Sequence, residues 1–153
     1  MCGIGGILHL DPERPVEPHR LAAMSRSLAH RGPDDDGVYL ERNVGLAHRR
    51  LSVIDLSPAG HQPMSDESGR YWIVYNGEVY NYLELRQQLL ARGVRFRSHT
   101  DTEVILRLYA AEGADCLRRL NGMFAFYYAL HGHTFLFASE IKGLLASGLL
   151  PPA

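Results

Sequence analysis

Cys2, beside the initiator methionine, is the residue of this chain best placed to do chemistry. Removal of Met1 would leave one small residue carrying both a nucleophilic thiol and a free α-amine. That amine titrates near about 8, so a neutral fraction exists at physiological pH to accept a proton. Taken alone, a Met-Cys start is more simply a small hydrophobe on a buried strand. A real site needs further groups. A thiolate attacking a carboxamide requires donors aimed at the developing oxyanion, each worth about 3 kcal/mol in the transition state. Asn76 and Gly77 directly follow the run YWIVY and offer a side-chain amide and an unhindered backbone N–H. Asn-Gly is also a common hairpin turn. Here, however, Glu78 and Val79-Tyr80-Asn81-Tyr82 lead towards a helix rather than a return strand.

A free amino acid as substrate would need both charged ends recognised. Arg50 could clamp a carboxylate in bidentate fashion, and Glu78 and Asp101 could hold an ammonium group. Each alone is as well read as a surface charge, and Asp101 stands where a helix N-cap would. Gly3, Gly5 and Gly6 do not complete a dinucleotide or P-loop fingerprint. His131 and His133 form an HxH pair without other nearby ligand candidates, so no metal site is expected.

These residues must be positioned by a sequence of elements. Residues 3–8 read as a buried strand, and Pro18 suits the first turn of a helix presenting Leu21, Met24 and Leu28. HRGPDDDG (30–37) is a turn-rich loop. Short strands are expected at 37–41, 44–48 and 50–55, and YWIVY (71–75) is the clearest strand. Asn81 with Glu84, and Thr100 with Glu103, both resemble capping boxes that open helices ending near Gly93 and Gly113. FAFYYAL (124–130) and TFLFA (134–138) read as a hairpin. SEIKGLLAS is a last short helix, opened by Ser139 and closed by Gly148. Strands and helices in blocks favour an α+β domain over a parallel doubly wound sheet.

The chain has 153 residues, 46% apolar and 22% charged, which suits one globular domain and argues against disorder. A net charge of -1 gives no reason to expect nucleic acid or an anionic membrane as partner. No apolar run approaches a membrane span, and the N-terminus lacks the flank of a signal peptide. Cys2 and Cys116 do not make a disulfide scaffold, so a reducing cytoplasmic location is the default expectation.

MCGIGGIL, HRGPDDDG, LAHRRLSVIDL, YNGEVYNYLELR, SHTDTEVIL, LNGMFAF and LFASEIKGLLASG occur in this order. Together they resemble the N-terminal glutaminase domain of asparagine synthetase, a class II glutamine amidotransferase, from Met1 to about Leu149. The resemblance implies a four-layer αββα sandwich of the N-terminal-nucleophile hydrolase type, covering 1–149 with a tail at 150–153. It implies Cys2 as nucleophile with its own α-amine as base, and Asn76 with the Gly77 N–H as oxyanion hole. Arg50 would bind the α-carboxylate of L-glutamine, Glu78 and Asp101 its α-ammonium, and backbone near Val53 and Ile54 would help seat it. The reaction would run through a thioester, with loss of ammonia and hydrolysis to glutamate, and would need no cofactor. In full-length relatives ammonia passes to a synthetase domain that activates aspartate with ATP and Mg.

Two departures from the family pattern carry consequences. The sequence ends just after the glutaminase region, as a fragment or as a freestanding glutaminase-like protein would, so no synthetase domain is expected within these 153 residues. Relatives also follow GMFAF with a further strand, a turn and a segment like RDRxGxKPLYY, whereas here Phe126 joins Tyr127 directly. About two strands are therefore expected to be missing, shortening a sheet and exposing edges or core faces. Three readings follow: a glutaminase supplying ammonia for asparagine synthesis, a glutaminase serving another acceptor, or a non-catalytic interaction module. Oligomeric state is not legible.

Overall fold

The uncharged run Gly3–His9 is almost wholly buried and forms the middle strand, β1, of a five-stranded antiparallel sheet. In this computed structural model, which describes residues 1–151, β1 lies between β3 (Val44–Arg50) and β9 (Thr134–Ala138). β2 (Asp35–Glu41) and β8 (Tyr127–His131) form the two edges. Helix α1 (Pro18–Ser27), with Pro18 in its first turn, and helix α4 (Ile141–Ala146) cover one face. There Ile7, Leu21, Met24, Ala47, Leu136 and Leu144 make a continuous core. Burial of each large side chain of this kind contributes about 1.5–3 kcal/mol.

A second β layer packs on the other face. It consists of two small ladders, β4 (Met64–Ser65) with β5 (Trp72–Ile73), and β6 (Gly77–Val79) with β7 (Gly122–Phe124). Trp72 stacks on Tyr39 of β2 with ring centroids 4.0 Å apart, which locks the two β layers together. Outside this layer lie α2 (Tyr82–Ala91) and α3 (Asp101–Glu112). Val79, Leu85, Leu89, Val104, Leu108 and Cys116 form their common core. The order helix, sheet, sheet, helix is the αββα sandwich that the family resemblance implies.

Local expectations fail where a partner is missing. Among the described residues YWIVY pairs only through Trp72 and Ile73, because no strand there continues β7 alongside it. FAFYYAL is not one strand. It breaks at Ala125–Phe126, since its first part belongs to the second layer and the rest to the first sheet. The shortening therefore falls on the second layer. The expected strand at 50–55 is a loop beyond β3, with Asp55 at φ 56. Ser139 does not cap α4; its hydroxyl accepts from the Ile4 N–H, and Glu140 holds the cap position. Asn81 caps nothing with its side chain, which instead bonds Arg119 O and Asn121 N. Leu149 and Leu150 pack against the α1–α4 core, and Pro152 and Ala153 of the expected tail lie outside the described residues.

Candidate active site

Cys2 stands one residue before β1, where the strand is already held on both sides. Its Sγ accepts from Leu51 N–H at 3.4 Å, and the thiol lies 3.6 Å from Leu51 O. The backbone of Cys2 is clamped too. Arg31 Nε donates to Cys2 O at 2.9 Å, and the same guanidinium pairs with Glu140 at 2.8 Å. His30 at 3.0 Å and Lys142 at 3.2 Å complete the cluster on Glu140. The Arg31 bond, with those of His30 and Lys142, pulls the Glu140 carboxyl down to about 2. The segments HRGPD and SEIK thus meet at the Cys2 carbonyl. The sequence reading gave neither a role, because 109 residues separate Arg31 from Glu140.

Arg50 closes β3 and is buried, two residues after His48 and on the same face of the strand. Its guanidinium donates to Ser57 O at 3.0 Å and to Asp55 O. Gly60 lies flat against it: a Cβ there would stand 2.2 Å from Arg50 Nη2. The loop 51–57 thereby fixes a cation beside Cys2. Within that loop Val53 is exposed and Ile54 half-buried.

The chain is fixed at Tyr75 on one side of Asn76 and at β6 on the other, and Asn76-Gly77 forms no hairpin turn. Gln62 Oε1 accepts from Tyr75 N–H at 2.7 Å, while Gln62 Nε2 donates to Thr102 Oγ1 at 3.2 Å. His48 Nε2 lies 3.3 Å from Tyr75 O. Burial brings the His48 pKa down to about 4, so the ring is neutral and can donate there. Gly77 leads into β6, and a Cβ on it would meet Met123 O at 2.4 Å. Asn76 Oδ1 and the Tyr75 hydroxyl are buried without a partner among the described residues. Unused polar capacity of this kind is costly unless a ligand takes it up.

Asp101 is the first helical residue of α3 rather than its cap; Thr100 caps it, accepting from Glu103 N–H at 3.1 Å. Asp101 is therefore free for other work. Its carboxylate accepts from Val79 N–H at 3.0 Å and Thr102 N–H at 2.8 Å. Burial pushes its carboxyl above the usual range despite these bonds. An arriving cation would reverse that shift. Glu78 is exposed at the rim.

All eight residues singled out from the sequence (Cys2, Arg50, Val53, Ile54, Asn76, Gly77, Glu78 and Asp101) line one cavity of about 180 Å³. Gln62, Tyr75, Gly60 and Thr102 share its wall and were missed. The wall carries a thiol, one guanidinium, two carboxylates and an amide without a partner on its oxygen. Such a site can receive a small zwitterion and present a nucleophile to its remaining end.

Residues 1–128 match the family described as glutamine amidotransferase domain. The chain is 39% identical to a putative glutamine-hydrolysing asparagine synthetase 2 of Methanocaldococcus jannaschii, over 95% of this chain and 35% of that protein. It is 36% identical to asparagine synthetase 1 of Bacillus subtilis, over 96% of this chain and 27% of that protein. It thus spans about a third or less of these relatives. The aligned stretches, 186 and 171 positions, exceed the whole chain, so both relatives carry residues there without a counterpart here. Among solved structures, glutamine phosphoribosylpyrophosphate amidotransferase of B. subtilis superposes with a TM-score of 0.79 at 20% identity, covering 96% of this chain and 44% of that one. Fold, motif order and the family match agree: the chain belongs to the glutamine amidotransferase domain family.

Proposed function

We propose that residues 1–149 hydrolyse L-glutamine to glutamate and ammonia. After Met1 is removed, the α-amine of Cys2 takes the thiol proton and Sγ attacks the carboxamide carbon. The Asn76 amide and the Gly77 N–H hold the oxyanion. Collapse of the tetrahedral adduct expels ammonia, which takes the proton back from the α-amine, and leaves a Cys2 thioester. Water then attacks the thioester, releasing glutamate and restoring the thiol. Arg50 pairs with the substrate α-carboxylate, while Asp101 and Glu78 pair with its α-ammonium. Backbone near Val53 and Ile54 helps to seat the substrate. No cofactor enters these steps.

The observation that carries this reading is the convergence of Cys2, Arg50, Asn76 and Asp101 on one cavity from four separate segments of the chain. The ammonia acceptor is proposed to be a synthetase domain or subunit, since the relatives are glutamine-hydrolysing asparagine synthetases; ATP and Mg acting on aspartate there is what the motif resemblance implies. No helix among the described residues is long and apolar enough to cross a membrane. A reducing cytoplasm is the proposed location, since it keeps the Cys2 thiol free.

Intact mass before and after treatment with an electrophilic glutamine analogue tests the mechanism. The expected result is loss of Met1, one adduct on Cys2, and glutamate release that stops in Cys2→Ala. Undiminished glutamate release by that variant would sink it. A folded protein that neither releases glutamate nor takes the label would favour the interaction-module reading, which the open second layer motivates.

A further inference from the structure

Directly opposed residues of an antiparallel sheet share a face, so the register of the five-stranded sheet defines which face each side chain joins. On the face towards the second layer, Leu8, Phe135 and Leu130 form one row, with Phe137 and Tyr128 in the next. The β2–β3 half of this face is covered: Trp72 lies on Tyr39 and Tyr75 O meets His48. The β9–β8 half is open. Tyr128 is 69% and Leu130 63% exposed, and Phe126, 50% exposed, sits edge-on to Phe137 at 6.3 Å. The outer edge of β8 is also unguarded, since Tyr127–His131 contains no Lys, Arg, Asp, Glu or Pro.

We propose that a second copy of this chain covers this face, the two sheets packing face to face about a two-fold axis. Three arguments favour that occupant. The first is area. At 150–250 Å² for each aromatic side chain, the six residues leave on the order of 500 Å² of apolar surface exposed. A standard interface takes about 800 Å² from each partner, roughly 60% of it apolar, so the bare face supplies the apolar share of one such interface. The second is charge. None of the six carries one, so an identical face brings no unpaired charge into the contact. The third is shape. A regular antiparallel face packs on its own kind at about 10 Å, which remakes the two-layer arrangement already present over β2 and β3. A lone peptide strand added at β8 would extend the edge and leave the face bare. The proposal rests on packing and is independent of glutamine hydrolysis.

Sedimentation equilibrium of the full chain between about 1 and 100 μM tests it. The expected result is a reversible monomer–dimer equilibrium that weakens by about 100-fold in Tyr128→Glu/Leu130→Lys. Far-UV circular dichroism should show that variant folded, because both positions are exposed on an edge strand. Leu130→Gln serves as the milder change if the double variant unfolds, with about 10-fold weakening expected. A wild-type monomer throughout the range would overturn the proposal. So would a dimer whose affinity the substitutions leave unchanged. A monomer that associates only when a separate synthetase-domain chain is added would assign the face to that partner instead.

Discussion

Gly60 has no side chain because the Arg50 guanidinium occupies the space where one would be. The fork is held by two loop carbonyls, so it cannot yield without losing one of them. Gly60→Ala should therefore displace the cation while leaving Cys2, Asn76 and Gly77 in place. The clamp acts alike on bound substrate and transition state, so the KM for glutamine should rise by about tenfold with kcat within about twofold. Steady-state glutamate release measures both. An unchanged KM would remove Arg50 from substrate binding. At this scale residue type alone put Cys2, Arg50, Asn76 and Asp101 forward, and the structure gathers them on one cavity. Gly60, Gln62 and Arg31 were silent. A glycine does not advertise which neighbour needs its space, and a buried amide or guanidinium shows its use only once its partners are brought near.

Helix α3 shows how an element can be read correctly and still be misread in detail. Thr100 caps it as the signature promised, but the reciprocal half of the box is absent. The buried Glu103 carboxylate turns instead to Arg97 N–H, Ser98 N–H, Ser98 Oγ and the Arg107 guanidinium. Burial alone would raise its carboxyl; these donors outweigh it and hold it below the usual range. Glu103 thus ties the 97–98 turn to α3, the helix that presents Asp101. Glu103→Ala leaves a buried cation with only the exposed Glu67 as partner and should cost about 3–5 kcal/mol. Thr100→Ala should cost about 1 kcal/mol. Urea unfolding of both variants checks the ranking; equal losses would mean that Glu103 serves only as a cap. The strands were less legible than the helices. Residues 71–75 and 124–130 have strand composition, yet their pairing depends on neighbours that the local pattern does not encode.

For the molecule as a whole, His48 couples stability to pH. It sits between the two β layers, 1% exposed, with Nδ1 unpartnered among the described residues. Burial lowers its folded pKa from 6.5 to about 4. Between those values the unfolded chain binds the proton and the folded one does not. The stabilisation is therefore whole above pH 6.5 and is lost as pH falls towards 4, by about 3 kcal/mol. Denaturant titrations at pH 7 and pH 4.5 should show that loss in the wild type and a shallower one in His48→Asn. Parallel behaviour would mean that the folded protein accepts the proton freely. The blocks of strands and helices made an α+β domain legible, and the layer order came only with the family resemblance; the half-open second layer was visible only as a join between Phe126 and Tyr127.

The central place of β1 also sets a timetable. Its two neighbours come from residues 44–50 and 134–138, so one side of the strand stays unclaimed until nearly the whole domain has been made. At about 5–20 residues per second, synthesis leaves the first residues unclamped for roughly 7 to 30 seconds. During that interval Cys2 O lacks its complete clamp, because Arg31, which binds it, is itself anchored by Glu140. The Cys2 segment is thus the first part of the sheet to be made and the last to be paired on both sides: its second neighbour exists only when β9 arrives.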